Sequence, residues 1–219
     1  MKRYFCFDAV ALSLATLMCI LWSPSGSADP VVTSDYAHCS SMHHLLHWQK
    51  MPLLIYFDRS TCVPADDASR TWVPIAKRGF KEWVTATNQA ITFKIVDDPS
   101  LANLTVDFTP IEYLNGVEGS VGITGLIYSG TTLHRAHMTI ATGDATDSQI
   151  QSVAAHEFGH ALGIDGHSDR LGDLMYPSTV RVFTADMKPV LAPPIQVSSR
   201  DLNTLRLAYG FSDGHLASR

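Results

Sequence analysis

The sequence predicts an α+β domain, in which a twisted mixed β-sheet is combined with a helix that carries histidines and a further helix near the C-terminus. Three observations support this. Short apolar runs typical of strands recur between residues 51 and 141, and a segment with helical spacing of its apolar residues lies among them. The pattern His-Glu-Phe-Gly-His at 156–160 follows in a second helical segment. The 219 residues suit one domain with a sizeable core.

Residues 1–28 have the three parts of a secretory signal peptide. The start is positively charged, Ala9–Trp22 is an apolar run, and Gly26-Ser27-Ala28 supplies small residues for cleavage. The apolar run is short for a bilayer span, so we expect no stable membrane insertion. The sequence therefore predicts a secreted or periplasmic protein whose single folded domain comprises residues 29–219.

One helix and five strands are predicted before the histidine motif. Trp72–Thr87 has apolar residues at helical spacing, and Pro74 falls in its first turn, where the missing N–H does no harm. The strands are apolar or alternating runs bounded by turn residues, at Met51–Phe57, 91–96, 104–108, 121–128 and 137–141. The strand at 121–128 lies in a glycine- and threonine-rich stretch and is expected at an edge of the sheet. Asp147 or Ser148 is expected to cap the next helix.

The histidine motif has the geometry of a metal site. His156 and His160 are four residues apart, so a helix presents both on one face, while Glu157 is turned about 100° from His156. Gly163 can end the helix with a positive φ, after which the chain can bend back and deliver His167. Three protein ligands leave one tetrahedral position open, which is typical of a catalytic zinc. Glu157 would then act on water beside the metal and would not be a ligand.

On these residues the chain resembles the metzincin metallopeptidases, and within them the matrixins. The resemblance also rests on Leu174-Met175-Tyr176-Pro177 and on the closing segment 199–210. It implies a zincin-like catalytic domain that binds one catalytic Zn²⁺, with Glu157 as general base. It further implies that Met175 forms an apolar floor under the imidazoles, that Asp201 braces the turn around Met175, and that Tyr176 and Pro177 shape the substrate pocket together with the loop at 178–198.

The chain also departs from the family pattern. The usual spacing would place the third histidine at position 166, where this chain has Gly166, so that His167 comes one residue late. Its interval to Met175 is normal for a matrixin, which favours His167 as the third ligand. Asp165 is the alternative ligand, because zinc also accepts carboxylates. A zinc-peptidase class that takes a later glutamate is excluded, since no glutamate follows Glu157.

The composition limits the kinds of partner and of covalent cross-link that we expect for this protein. A formal net charge of −5, with no basic run, argues against nucleic acid. Cys39 and Cys62 remain after the signal segment and are expected to form a disulfide in an exported protein. Neither lies in the context of a matrixin cysteine switch, so this control is not expected. His134 and His137 lack the companion motif of the family's structural zinc, so no such zinc is predicted, and a calcium requirement is left open.

The leading hypothesis is a secreted, monomeric zinc endopeptidase that hydrolyses protein or peptide substrates. Its alternative is a secreted zinc-stabilised binding protein that has lost catalysis, a reading prompted by the shifted His167. A peptide-library digest combined with metal analysis would separate the two. The histidines near residues 38–47 are interpreted as a polar patch, because no cysteine or carboxylate completes a ligand set around them.

Overall fold

A five-stranded mixed sheet with helices packed against it organises the protein. The computed structural model describes residues 44–62, 71–111, 114, 121–143, 145–177, 182–183, 189–190 and 196–210, all within one unit that spans Val32–Arg219. The predicted signal peptide at 1–28 lies outside the described residues. None of the helices in the described part of the chain combines the length and apolar character needed to cross a bilayer.

The described elements are nine strands and three α-helices, with a single 3₁₀ turn at Pro99–Leu101. The strands are β1 His44–Leu45, β2 Leu53–Phe57, β3 Phe93–Ile95, β4 Leu104–Thr109, β5 Gly122–Ser129, β6 Thr132–Ala141, β7 Ile164–Asp165, β8 Val182–Phe183 and β9 Pro189–Val190. The helices are α1 Val73–Ala86, α2 Asp147–Ala161 and α3 Ser199–Tyr209.

The main sheet has the strand order β3-β2-β4-β6-β5. Its first four strands are parallel, and β5 runs antiparallel to β6 at one edge. Two short antiparallel pairs, β1 with β7 and β8 with β9, lie outside this sheet. The predicted α+β class, the mixed sheet and the edge position of the strand near 121–128 are therefore confirmed.

Burial alternates along the strands and shows which face of the sheet is packed. In β4, Leu104, Val106 and Phe108 are buried while the residues between them are partly exposed, as expected for a strand with one packed face.

α1 has a proline in its first turn, as predicted. It packs closely on α2 at Gly79, where an added Cβ would lie 2.5 Å from the carbonyl oxygen of Gln151. A side chain at this position would force the two helices apart.

The start of α2 differs from the prediction that Asp147 or Ser148 caps it. The N-cap is Thr146, whose hydroxyl accepts from the backbone N–H of Gln149, and the Gln149 side chain in turn accepts from the backbone N–H of Thr146. This reciprocal capping box outcompetes a cap at Asp147. Asp147 instead occupies the first turn, where its negative charge suits the positive end of the helix dipole.

The bounds of two strands differ from those predicted. The strand predicted at 137–141 begins at Thr132, because β6 pairs with β5 along a hairpin that turns at Gly130, where φ is 59°. The strand predicted at 91–96 is reduced to β3, which pairs over three residues with β2. In the predicted loop 178–198, the backbones of β8 and β9 pair, and residues 178–181, 184–188 and 191–195 lie outside the described part of the chain.

Candidate active site

Helix α2 fixes two of the three predicted ligands. His156 Nδ1 donates to the carbonyl oxygen of Leu174 at 2.8 Å, and His160 Nδ1 donates to that of Ile164 at 2.7 Å. A carbonyl can only accept, so Nδ1 carries the proton in both rings and Nε2 keeps its lone pair. This outer hydrogen bond is the usual device by which a protein orients a histidine toward a metal.

The third histidine arrives through a tight reversal after α2. Gly163 has a φ of 114°, and an added Cβ there would lie 2.0 Å from the carbonyl oxygen of Leu46. Gly163 in turn accepts from the backbone N–H of Leu46 at 3.0 Å. Only glycine fits this position, because both the backbone conformation and the close approach exclude a side chain. The reversal begins at Gly163, and Gly166, which stands where the third histidine is usual, also has a positive φ, of 157°.

The three imidazoles converge on one point. His156, His160 and His167 each offer a ligand atom within 4.8 Å of the others, and His160 Nε2 lies 3.3 Å from His167 Nε2. Two nitrogens that each bind one tetrahedral zinc at about 2.05 Å are roughly 3.3 Å apart, so this pair fits a zinc ion. Burial also lowers the pKa of His160 and lowers that of His167 to about 4, helped in His167 by the nearby His160. Neutral imidazoles are the form that a metal requires.

Asp165, the alternative third ligand, is engaged elsewhere. Its carboxylate oxygen lies 3.0 Å from His44 Nδ1, and the backbones of the two residues are partners in the β1–β7 pair. Within the described residues, the cluster that could hold a metal contains His167 and not Asp165. The inserted residue is thus absorbed in the segment between Gly163 and His167, where β7 pairs with β1. The same contact gives His44 a defined partner within the predicted polar patch.

Glu157 lies beside the histidines and is only 5% exposed. Burial raises the pKa of its carboxyl to about 7, while a hydrogen bond from Thr124 opposes this rise. Thr124 Oγ1 donates to Glu157 Oε2 at 2.7 Å from the neighbouring strand β5. Gly122, two residues earlier on the same face of β5, leaves room for the carboxylate, since an added Cβ would lie 2.5 Å from Oε1. Neither contact was predicted from the sequence.

Met175 is buried against the histidine helix α2, and Asp201 contacts the backbone of the turn that contains Met175. Met175 is fully buried, and its sulfur lies 2.4 Å from where a Cβ on Gly159 would stand, between the two histidines of α2. Asp201, on α3, accepts from the backbone N–H groups of Leu174 at 2.8 Å and Met175 at 3.2 Å. Burial raises the pKa of Asp201 to about 6, and its backbone hydrogen bonds oppose this rise. The carboxylate thus ties the turn to the last helix.

A buried ion pair next to this turn was missed in the sequence. The Arg200 side chain, 11% exposed, places Nε 3.0 Å from Asp173 Oδ2 and an amino nitrogen 2.7 Å from Asp169 Oδ1. Asp173 also accepts from the hydroxyls of Ser168 and Ser198. The available signal was Arg200 itself, a cation next to Asp201 and 27 residues from Asp173.

An open cavity of about 390 Å³ lies over Glu157, His160 and His167. The rest of its lining comes from β5 and from the segment that leads to His167: Gly122, Ile123, Thr124, Leu126, Asp165 and Gly166. The predicted pocket residues are not among the residues that line it: Tyr176 is half-buried and Pro177 is exposed. Their role in substrate binding stays a prediction.

The expected disulfide is not tested by the described structure. Cys62 is a buried free thiol whose Sγ donates to the carbonyl oxygen of Asp58 at 3.0 Å. Burial raises the pKa of this thiol to about 11. Cys39, the expected partner, lies outside the described residues, so the pairing stays a prediction.

Three converging histidines, a buried glutamate beside them and a methionine below are the features of a metzincin zinc site. The family model described as matrixin matches residues 48–191, which is more than half of the chain. The chain therefore belongs to the matrixin family, a class of zinc metalloendopeptidases.

Similarity to individual proteins agrees with this. The chain is 27% identical to Metalloendoproteinase 1 of Glycine max over 192 residues, which are 82% of this chain and 57% of that protein. It is 30% identical to Metalloendoproteinase 1-MMP of Arabidopsis thaliana over 115 residues, 48% of this chain and 31% of the relative. It is 39% identical to Interstitial collagenase of Bos taurus over 69 residues, 32% of this chain and 12% of the collagenase. The chain thus spans only a little over half of the Glycine max relative.

Proposed function

We propose that this protein is an exported zinc endopeptidase that cleaves extended protein or peptide substrates. The observation that carries the proposal is the convergence of His156, His160 and His167 beside the buried carboxyl of Glu157. These three histidines would hold the ion. When bound, zinc supplies Lewis-acid chemistry, which polarises a carbonyl and lowers the pKa of water to about 7.

Glu157 is suited to move the proton in this reaction. Peptide hydrolysis requires a base that takes a proton from the attacking water and then gives it to the nitrogen of the leaving amine. In the metal-free protein, burial raises the pKa of Glu157 to about 7, so the carboxyl can both take up and release a proton near neutral pH. The Thr124 hydroxyl holds Oε2, so that the carboxylate is oriented before the substrate arrives.

Strand β5 is suited to receive the substrate. It is the last strand in the order of the sheet, and Thr124 and Gly122 bring it against Glu157. An unpaired strand edge binds an extended peptide through backbone hydrogen bonds, with alternate side chains entering pockets. A peptide paired with β5 would therefore pass over the cavity that the histidines line. We expect the protein to act as a monomer. Activity measured with and without added calcium tests whether the protein requires this ion.

The test is the variant Glu157→Gln, which keeps the shape of the side chain and removes its basicity. We expect zinc content equal to that of the wild type and at least a 100-fold lower kcat on an unstructured protein such as casein. Wild-type activity in the variant would refute the assigned role. If the wild-type protein bound zinc and cleaved nothing in a peptide library, the zinc-stabilised binding protein would be the better interpretation.

Export is the second part of the proposal and rests on the predicted signal peptide at 1–28. Expression of the full chain in a secreting host is expected to release a protein that begins near Asp29, which N-terminal sequencing would detect. A mass two hydrogens below that of the reduced form would support the Cys39–Cys62 disulfide. An uncleaved N-terminus would contradict the assignment of residues 1–28.

A further inference from the structure

The edge strand β5 contacts the side chain of Glu157 directly, at two positions on one face. Thr124 Oγ1 is 2.7 Å from Oε2, and an added Cβ on Gly122 would lie 2.5 Å from Oε1 and 2.6 Å from Cγ. Residues two apart on a strand point the same way, so both positions face the carboxylate. The strand proposed to bind substrate is thus also the surface against which the glutamate rests.

The hydroxyl of Thr124 has one proton to donate. Its oxygen lies 2.7 Å from Glu157 Oε2 and 3.2 Å from the backbone carbonyl oxygen of Glu157. The shorter contact to a carboxylate is the stronger one, because a charged acceptor roughly doubles the strength of a hydrogen bond. Oε2 is therefore held by Thr124, while Oε1 is the oxygen that lies against Gly122.

We propose that Thr124 is a positioning residue for the general base: it holds the Glu157 carboxylate through Oε2, while Gly122 leaves the space that the carboxylate needs. The inference rests on the proposed peptidase function and adds a requirement to it. Strand β5, which is proposed to bind the substrate, and the Glu157 carboxylate must stay fixed relative to each other. A carboxylate that must stay within about 0.5 Å of a productive position needs such a fixed neighbour. α2 alone fixes only the backbone of Glu157.

Thr124 and Gly122 act on the Glu157 carboxylate in different ways. The β-branched Thr124 is restricted in χ1, so its hydroxyl stays aimed at the carboxylate. Gly122 would push the carboxylate aside if it carried even a methyl group. Replacing either residue therefore disturbs Glu157 and leaves the sequence of the three histidines unchanged.

The central experiment compares Thr124→Val, which has nearly the same shape but no hydroxyl, with Thr124→Ser, which keeps the hydroxyl. Loss of a hydrogen bond to a charged group corresponds to roughly 10- to 100-fold in rate. We expect kcat of Thr124→Val to fall by this factor with KM within about twofold of the wild type. Thr124→Ser is expected to restore most of kcat. Equal losses in the two variants, or a loss in KM alone, would overturn the proposal.

A matched control is available on the neighbouring strand. Thr139, on β6, pairs with Ile123 and has its hydroxyl near His137 on the other face of the sheet. Thr139→Val makes the same chemical change without contact to Glu157, and we expect wild-type kcat and KM. A loss in Thr139→Val as large as that in Thr124→Val would show a general effect on the sheet and overturn the proposal.

A second pair of measurements separates positioning from simple damage. In the Glu157→Gln background, Thr124→Val should lower the residual kcat no further, because a residue that acts through Glu157 has nothing left to orient. Gly122→Ala is the alternative variant if Thr124→Val folds poorly, and it should lower kcat in the same way. Additive losses in the double variant would contradict the proposal.

A readout without turnover keeps this proposal distinct from the peptidase proposal. Crystal structures of the zinc-loaded wild type, Thr124→Ser and Thr124→Val should show the Glu157 carboxylate in place in the first two and rotated in the third. If the wild type cleaves nothing, the peptidase function fails, and these structures still decide the positioning role. An unmoved carboxylate in Thr124→Val would overturn it.

Discussion

Two parts of the site are built in different ways. The first, here called the brace, comprises Ser168–Met175 together with α3, and three of its charged side chains are buried or nearly so: Asp201 is fully buried, Asp173 is 4% exposed and Arg200 is 11% exposed at its side chain. The second is the edge strand β5, where Ile123 is 46% and Ile127 62% exposed. The brace holds the floor of the site through buried charges, while the edge strand keeps one face and one edge open.

The difference shows that one part of the fold stabilises the site while another part leaves it accessible to other chains. Buried hydrogen-bonded charges permit few alternative arrangements, because each broken contact leaves an unpaired group away from water. An exposed strand edge can accept another chain at small cost. We infer that the brace sets the position of the metal ligands and that the edge strand is free to meet substrates. The following predictions test this contrast, in order of decreasing effect.

The largest effect on stability is expected from Arg200→Met. The change leaves Asp173 as a buried carboxylate without its charge partner, which costs about 3–5 kcal/mol of unfolding free energy. Urea unfolding of the zinc-loaded protein measures this. The control is Arg59→Met, which removes an arginine from an ion pair with Asp97 whose members are 77% and 87% exposed, and which should cost less than about 1 kcal/mol. Equal costs would abolish the distinction between brace and surface.

Gly163→Ala comes next. The new methyl group would meet the Leu46 carbonyl oxygen at 2.0 Å and impose a φ of 114° on alanine, so we expect a loss of at least about 2 kcal/mol and weaker zinc binding. Zinc titration with a competing chelator and urea unfolding give the two values. Gly172→Ala is the matched control, because an added Cβ there meets nothing within 4 Å. A Gly163→Ala protein that matched Gly172→Ala would refute the tight turn.

The brace also predicts a dependence on pH. Burial raises the pKa of Asp201 from 3.8 to about 6 in the folded protein, so the folded state binds this proton more tightly than the unfolded state does. The contribution to stability is complete below about pH 4 and is lost as the pH rises through 6, by on the order of 2 kcal/mol. Unfolding of metal-free wild type and Asp201→Asn between pH 4 and 7 isolates the effect. Parallel curves for the two proteins would contradict it.

The smallest effect is expected on the edge strand. Ile127→Thr replaces a side chain that is 62% exposed with another good strand former, so the unfolding free energy should change by no more than about 0.5 kcal/mol. Ile140→Thr, the same change at a fully buried position on β6, should cost about 2–4 kcal/mol. A large loss at Ile127 would mean that the edge strand is part of the stable core.

The sequence predicted the parts of the site that depend on local spacing. His156 and His160 were predicted from helical periodicity, Gly163 from its freedom at positive φ, and His167 from its interval to Met175 by resemblance to the matrixins. Their roles stay predictions. The edge position of β5 followed from its composition. The prediction that Asp147 or Ser148 caps α2 was wrong, because Thr146 and Gln149 form reciprocal hydrogen bonds. The choice between adjacent polar residues depends on side-chain geometry, which the sequence does not show.

The contacts that the sequence did not predict join residues far apart in the chain. Thr124 is 33 residues from Glu157, and their contact depends on how β5 lies against α2. His44 is 121 residues from Asp165, and only the β1–β7 pairing shows that the aspartate has a partner other than the metal. No periodicity within one segment encodes such registers, because they are set by the packing of whole elements.

The end of α2 has a consequence for the order in which the protein matures. Its last carbonyl groups accept from Trp48 Nε1, at Ala161, and from the Tyr209 hydroxyl, at Leu162. Trp48 and Tyr209 are 161 residues apart and contact each other as well. A chain that lacks residue 209 therefore cannot complete this junction. Because contacts between residues this distant in the chain form slowly, we expect the junction to be among the last parts of the fold to form.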